Sequence, residues 1–376
     1  ALVEAIVDIA NQYQVGVEHL FRAALRVFQE RRENYFEELE EAVEEFNANY
    51  GDAEAASYSY ERLEQIICEL YHYQIDEKVL AEQPKLLGYR SVLIPREEPK
   101  LLINPRLTIA QRKFILAREI GYQFLGLKVR ALTSAPERVD SFEQVLNDFK
   151  ASYFAGALLI KNQAIRDDII KFWAMAHWRP KALIELLDKY EVTPEILFYR
   201  MSEIVPRFFG FELHFLRYNE ERGKIRLVKQ FNMARLLEPG SLGLAEHHCR
   251  RWLALRLLRQ LNGVRKSPAP PVVGIQISSF IDQRARYLNI GLARQLNLNQ
   301  MANSSVTIGL KIDESLQKTV RFLNDKSIPR IDVGTSCERC PLTEEQCTER
   351  AMPATILIKV AEHREREEAL RRLIMR

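Results

Sequence analysis

Residues Leu116–Leu125 read LAREIGYQFL and close a helix that the chain enters at Thr108. Phe114, Ile115, Ile120 and Leu125 make one face of it apolar, so the helix belongs against a core. Within it, Arg118 and Tyr122 stand one turn apart on the same face, and Glu119 lies between them in sequence. In H-E-x-x-H this spacing offers a metal ion two histidine ligands and places a carboxylate to activate water. Here the carboxylate is kept, but the two ligand positions hold an arginine and a tyrosine. The segment predicts the scaffold of a metal-site helix whose metal chemistry has been lost.

The rest of the chain sets outer limits. Its 376 residues suggest two or three domains of roughly 150 residues each. A charged fraction of 28% beside 47% hydrophobic residues is that of a soluble protein. The net charge of +3 argues neither for nor against nucleic acid. The apolar run Phe154–Ile160 falls far short of the roughly 20 residues of a membrane span, so no membrane partner is expected. The opening ALVEAIVDIANQY lacks the basic region of a signal peptide and an initiator Met, so a fragment of a longer chain is expected. The five cysteines, Cys68, Cys249, Cys337, Cys340 and Cys347, are odd in number and clustered late. That pattern suits a cytoplasmic protein with a thiol site better than a secreted disulfide framework.

Residues 17–48 read as one long amphipathic helix with a near-heptad stripe at Phe21, Leu25, Phe28, Phe36, Leu39, Val43 and Phe46. Such a helix either packs on its own domain or serves as a connector and homodimer seam. A second helix is expected over Ser59–Tyr73, with Cys68 as a core thiol. Short strands follow at Tyr89–Ile94 and Lys100–Ile103, then the helix from Thr108, a helix over Ser141–Ile160, and further helices to Ile204. Pro206 marks a boundary. Beyond it the pattern becomes strand-like: a hairpin of Phe211–Arg217 and Lys224–Lys229, then Val272–Phe280, Tyr287–Ala293 and Ser305–Lys311. Helical segments intervene at Leu244–Leu261 and Glu314–Leu323, and a charged helix ends the chain. The expected fold is α+β: a helical connector over 1–52, a mostly helical zincin-like domain over 53–205, and a mixed α/β domain with the cysteine cluster over 206–376.

The stretch LLINPRLTIAQRKFILAREIGYQFL resembles the ImmA/IrrE metallopeptidase family, in which a strand ends in Asn and the next helix carries the zinc histidines. Asn104, Arg112 or Lys113, Phe114 and Ala117 fit that frame. The family's following helix supplies a third, acidic zinc ligand, and in DFKASYFAGALL that position is Asp148. Arginine has no lone pair for a metal, and a phenol of pKa about 10 is a poor ligand while protonated. Arg118, Glu119, Tyr122 and Asp148 therefore form a degenerate motif, and no catalytic residue is assigned. Arg118 can instead supply the positive charge that zinc once supplied, pairing with Asp148 or Glu119.

Three segments extend the likeness: ERRENYFEELE, NDFKASYFAGALLI and SCERCPLTEEQCTERAMP. Together they resemble the short-chain fatty acyl-CoA regulators, Xre-type transcription factors with a peptidase-like middle and a cysteine-bearing C-terminal domain. The resemblance implies a cytoplasmic regulator that binds DNA through a helix-turn-helix missing from these residues; the expected signal is a ligand such as a short acyl-CoA, or a redox or metal signal at Cys337, Cys340 and Cys347. A zinc-independent or residual peptidase acting on a repressor, and a protein-interaction module without a small ligand, are the alternatives.

Cys337-x2-Cys340-x6-Cys347 places three thiols in one loop, and C-x-x-C lets two thiolates reach one metal across a turn. The resemblance, through a C-x-x-W element at Cys249 and Trp252, offers Cys249 as the fourth ligand; His247 and His248 are alternatives. Zinc, an iron–sulfur cluster and free thiols all suit the spacing. For an acyl-CoA, Lys229, Gln230, Arg250 and Arg251 are the ligand-binding candidates, because its phosphates need cations. Neither a nucleotide-binding glycine loop nor a G-x-S-x-G element is present.

Overall fold

The structure is a computed structural model, and it describes residues 17–51, 57–134, 139–234, 247–264, 269–281, 285–298, 302–338, 340–343, 345–350 and 354–374. Residues 244–246 of one expected helix, and Ala351 and Pro353 of the cysteine signature, lie outside them.

The first helices are α1 (Val17–Arg31) and α2 (Glu37–Tyr50). The single helix expected over 17–48 is therefore broken. Glu33 and Asn34 both take left-handed backbone, each with φ of 54°. The break is held from inside: the buried Asn34 accepts from Gln29 Nε2 at 3.0 Å and donates to Ser202 Oγ at 3.1 Å. Phe36, Leu39, Val43 and Phe46 are buried in the chain's own core, so the heptad stripe is not an open seam for a second copy. The homodimer expected through a continuous 17–48 helix loses that basis.

A small sheet follows α3 (Tyr60–Tyr71), which Ser59 caps. Its strands β1 (Gln74–Asp76), β2 (Ser91–Ile94) and β3 (Lys100–Ile103) lie in the order β1-β3-β2, with β1 parallel and β2 antiparallel to β3. α4 (Ile109–Phe124) starts in a reciprocal capping box between Thr108 and Gln111, which satisfies two orphan donors. α5 (Phe142–Leu159) packs across it. Gly121 permits that crossing, since a Cβ there would lie 3.1 Å from the Ala151 carbonyl oxygen and from the Phe154 ring.

α6 (Asn162–Trp173), α7 (Pro180–Tyr190) and α8 (Pro194–Phe209) complete the helical part. α8 runs through Pro206 to end at Gly210, so the expected 205/206 boundary falls inside a helix. Its Tyr199 packs edge-on against Phe215 and Phe231 of the large sheet.

That sheet has the order β5-β4-β8-β7-β6-β9. The strands are β4 (Leu213–Glu221), β5 (Lys224–Asn232), β6 (Val272–Phe280), β7 (Arg286–Gln295), β8 (Ala302–Lys311) and β9 (Arg330–Val333). Only β9 joins parallel. One core cluster runs from Phe36 to Ile328 and includes one sheet face. A second lies on the other face beneath α9 (Leu253–Asn262). α10 (Glu314–Thr319) and α11 (Ala354–Ile374) end the chain. The fold is α+β, as the sequence pattern indicates. No described helix is long and apolar enough to cross a membrane.

Candidate functional site

Helical spacing places Arg118 and Tyr122 on the face of α4 that meets α5, opposite Asp148. Arg118 Nη2 bonds the Asp148 carboxylate directly. It also donates to the Tyr122 hydroxyl at 3.2 Å, and that hydroxyl donates to Asp148 Oδ1 at 2.8 Å. The two positions aligned with zinc histidines and the one aligned with the acidic ligand thus close on one another through a guanidinium. Burial opposes the charge on Arg118, but Asp148 and Tyr122 outweigh it and raise its pKa further. Burial, joined by the Asp148 charge, also holds the Tyr122 phenol well above its usual range.

Glu119 is equally committed. Arg130 grips it with two bonds, at 2.7 and 2.6 Å, while Tyr73 donates to it at 3.3 Å. Arg130 also lies 3.6 Å above the Tyr122 ring. Burial and then the charge of Glu119 push the Tyr73 hydroxyl up to about 12. Both carboxylate oxygens of Glu119 are thus bonded to protein groups. Neither Arg130 nor Tyr73 stood out in the sequence, because neither is near the motif in a helical frame.

Beside this cluster opens a cleft of about 780 Å³, walled by Arg22 and Gln29 of α1, Asp148 and Phe149 of α5, Tyr199 of α8 and Lys229 of β5. Gln230 also lines it. Lys229 sits directly across from Arg217 in the β4/β5 ladder, on the sheet face that Tyr199 covers. Arg217 reaches Ser304 Oγ at 3.4 Å, and Ser304 pairs across the β7/β8 ladder with Arg294. A row of cations thus crosses four strands. Arg90, from the loop before β2, is exposed but crowded by protein and lies in the electrostatic reach of Arg217, Arg294 and Arg118; that crowding and those like charges pull its pKa down, with Glu195 acting against them.

Two carboxylates near this row are already engaged, Asp148 with Arg118 and Glu195 with Arg294 at 2.8 Å. Among the described residues no carboxylate lies within ion-pair distance of Arg90, Arg217 or Lys229. The Lys229 ammonium instead stands 3.8 Å over the Tyr199 ring and 5.3 Å over Phe231. It is open to the cleft but crowded by protein, and that desolvation brings its pKa down to about 7. Behind the cleft wall, the fully buried Arg200 binds Glu40 at 2.5 and 2.8 Å and Glu203 at 2.8 Å. Burial drives Glu203 up to about 8 despite Arg200.

Residues 74–202 match the family model of the IrrE N-terminal-like domain. In fold, the chain is similar to a solved transcriptional regulator of Mycobacterium tuberculosis, with a TM-score of 0.61 over 89% of this chain and 94% of that one. The two share 17% identity, so this likeness is one of architecture. No curated protein matches the chain in sequence. The degenerate motif lies inside the IrrE-like match, and Arg217, Lys229 and Arg294 lie beyond it.

The other residues singled out in the sequence sit across the large sheet. Arg250 lines a shallow groove with Arg259 and Glu349, and Arg251 pairs with Glu349 at 3.5 Å and donates to the Gln346 carbonyl. Lys229 and Gln230 are therefore separated from Arg250 and Arg251. Cys249, Cys337, Cys340 and Cys347 are free, buried thiols. Bonds from Cys249 N to Thr335 O and from Cys337 N to His247 O lace two segments antiparallel. Arg350 closes the loop by donating to the Cys340 carbonyl at 2.8 Å. Burial raises the Cys249 thiol to about 11, with Cys337 and Cys340 adding to the rise against two backbone N–H groups.

Among the described residues no three His, Cys, Asp or Glu side chains are grouped tightly enough to hold one ion. The alternative ligands are occupied: His247 Nδ1 bonds Glu338 at 2.8 Å, and the His248 ring lies between Tyr218 and Trp252. Cys68 is a half-buried residue of α3, packed against the main core.

Proposed function

We propose that this chain is the metabolite-sensing part of a transcriptional regulator, in which the IrrE-like domain and the large sheet together bind an anionic ligand and peptidase chemistry has been lost. One observation carries the reading: Lys229 lines an open cleft with Arg217 beside it in the ladder, and among the described residues neither has a carboxylate within ion-pair distance. Cations that line a cleft without a carboxylate beside them offer an anionic ligand charge-assisted hydrogen bonds. Phe149, Phe231 and Leu25 give the same cleft an apolar wall, which suits a short acyl chain on a phosphate-rich carrier such as coenzyme A. The architectural likeness to a transcriptional regulator supports the regulatory role, with DNA contacted by a segment outside this chain. Arg118 in the metal position supports loss of hydrolysis.

Calorimetry and thermal shift with coenzyme A, its C2 to C6 acyl thioesters and inorganic phosphate test the proposal. Binding that weakens about tenfold or more in Arg217→Ala and Lys229→Ala is expected, the range for a lost charge-assisted bond. Absence of binding by every thioester overturns it. Cleavage of a repressor that stops in Glu119→Gln would restore the peptidase reading.

The cysteine segment would hold a structural zinc ion or an iron–sulfur cluster through Cys249, Cys337, Cys340 and Cys347. The donor set suits either, since four buried thiols approach from two laced segments. A single zinc ion requires sulfurs about 2.3 Å from one point, so the loop would have to draw in, whereas a cluster accepts more widely spread thiolates. Either group would lock the loop to the Cys249 segment. Metal analysis and an absorption spectrum of anaerobically purified protein distinguish zinc, iron–sulfur and metal-free thiols.

A further inference from the structure

On the sheet face away from the cleft, a chain of polar side chains leads to a small cavity. Asn289 Nδ2 donates to Ser278 Oγ at 2.9 Å and to the Tyr287 carbonyl at 3.1 Å. A carbonyl can only accept, so the amide orientation is fixed, and Asn289 Oδ1 must face His214 Nε2 at 3.1 Å. Nε2 therefore carries the ring proton and Nδ1 is a bare lone pair. That Nδ1 has no partner, although His214 is only 3% exposed. The ring is locked over Gly309, where a Cβ would come within 2.1 Å of it.

His214 forms part of the wall of a cavity of about 10 Å³, which Ser278, Leu253 and Ala254 also line. This volume is about that of one water probe. Leu253 and Ala254 open α9, whose N-cap, Trp252, gives no side-chain bond to the helix. Their N–H groups are two of the orphan donors of a helix start, both residues are buried, and neither has a partner among the described residues. Ser278 Oγ already accepts from Gln276 Nε2 at 2.8 Å and from Asn289, which leaves its proton to donate.

We infer that a single water molecule is bound here, accepting from one N–H group at the start of α9 and from Ser278, and donating to His214 Nδ1. An anion of the same size is excluded by the bare lone pair. Burial also holds His214 at about 4, so the ring stays neutral near pH 7. The water fastens the start of α9, directly after the Cys249–Trp252 segment, to β4, the strand that carries Arg217 on its opposite face. It is a joint between the thiol segment and the cleft wall.

A crystal structure of this chain from bromide-containing medium, together with 15N NMR of the His214 ring, tests the assignment. A water peak within hydrogen-bond distance of Nδ1, no anomalous bromide signal, and an Nε2–H tautomer unchanged from pH 8 to 5 are expected. A bromide peak, an empty cavity or a protonated Nδ1 overturns it. In Ser278→Ala, which removes the donor to the water together with the acceptor for Gln276 and Asn289, amide exchange over residues 253–256 should quicken about fivefold or more, as losing at least roughly 1 kcal/mol of local hydrogen bonding implies. Unchanged exchange there sinks the fastening role, and the wild-type NMR decides occupancy even if the variant folds poorly.

Discussion

Arg200→Met gives the most direct test of how the cleft wall is built. Arg200 is 0% exposed and is the only cation bonded to Glu40 and Glu203 among the described residues. It also donates to the Ile160 carbonyl at 3.1 Å, so it ties α2, the end of α5 and α8 at one point. Methionine fills similar volume without charge. The loss is then the Glu40 ion pair and the hydrogen bond to Glu203, and Glu40, whose carboxyl Arg200 holds below its usual range against burial, becomes an uncompensated buried charge.

Breaking a buried pair from one side costs about 3–5 kcal/mol, or about two to nearly four decades in the folding equilibrium. Urea unfolding at pH 7, followed by tryptophan fluorescence, should show a loss of that size. Adding Glu40→Gln removes the stranded charge and should recover about half of it or more. A single-variant loss below about 1 kcal/mol, the level of a surface pair, would falsify the reasoning, as would a double variant no better than the single.

Three further outcomes are expected. Glu203 has a folded pKa of about 8 against an ordinary 4.5, so its contribution is full below pH 4.5 and is lost as pH rises towards 8. Melting temperatures should fall across that window, and Glu203→Gln should flatten the fall; parallel profiles would show that another group titrates. Arg118→His with Tyr122→His restores the H-E-x-x-H frame opposite Asp148, and equilibrium dialysis should find one zinc ion gained. Peptide hydrolysis should stay absent until Arg130, which occupies Glu119, is also replaced. Finally, alkylation of the native protein should modify the half-buried Cys68 before the buried Cys249, with a rate ratio of about ten or more in peptide mass spectrometry; a faster Cys249 would mean the laced segments open readily.

The long α4 and α5 helices were legible because their apolar periodicity and caps are local, and the R-E-x-x-Y frame keeps helical spacing. Val272–Phe280 and the β4/β5 hairpin were legible for the same reason. The break at Glu33-Asn34 was not, since the apolar stripe continues through it and Asn34 finds Ser202 only in the folded chain. Tyr73, Arg130, Arg90, Arg217 and Arg294 carried no local signal. Each is an ordinary residue on a strand or loop until the fold sets it against a partner.

By itself, then, the sequence determined that the motif positions hold groups unsuited to a metal, because side-chain chemistry travels with the residue. It also determined an α+β order, because hydrophobic periods of 3.6 and 2 are written along the chain. Only the tertiary structure decided that Arg118 occupies the space between Asp148 and Tyr122, and that Lys229 faces a cleft with Arg217 beside it in the ladder while Arg250 and Arg251 lie across the sheet. Strand register and helix crossing decide which charges meet, and both are set by packing between residues far apart in sequence.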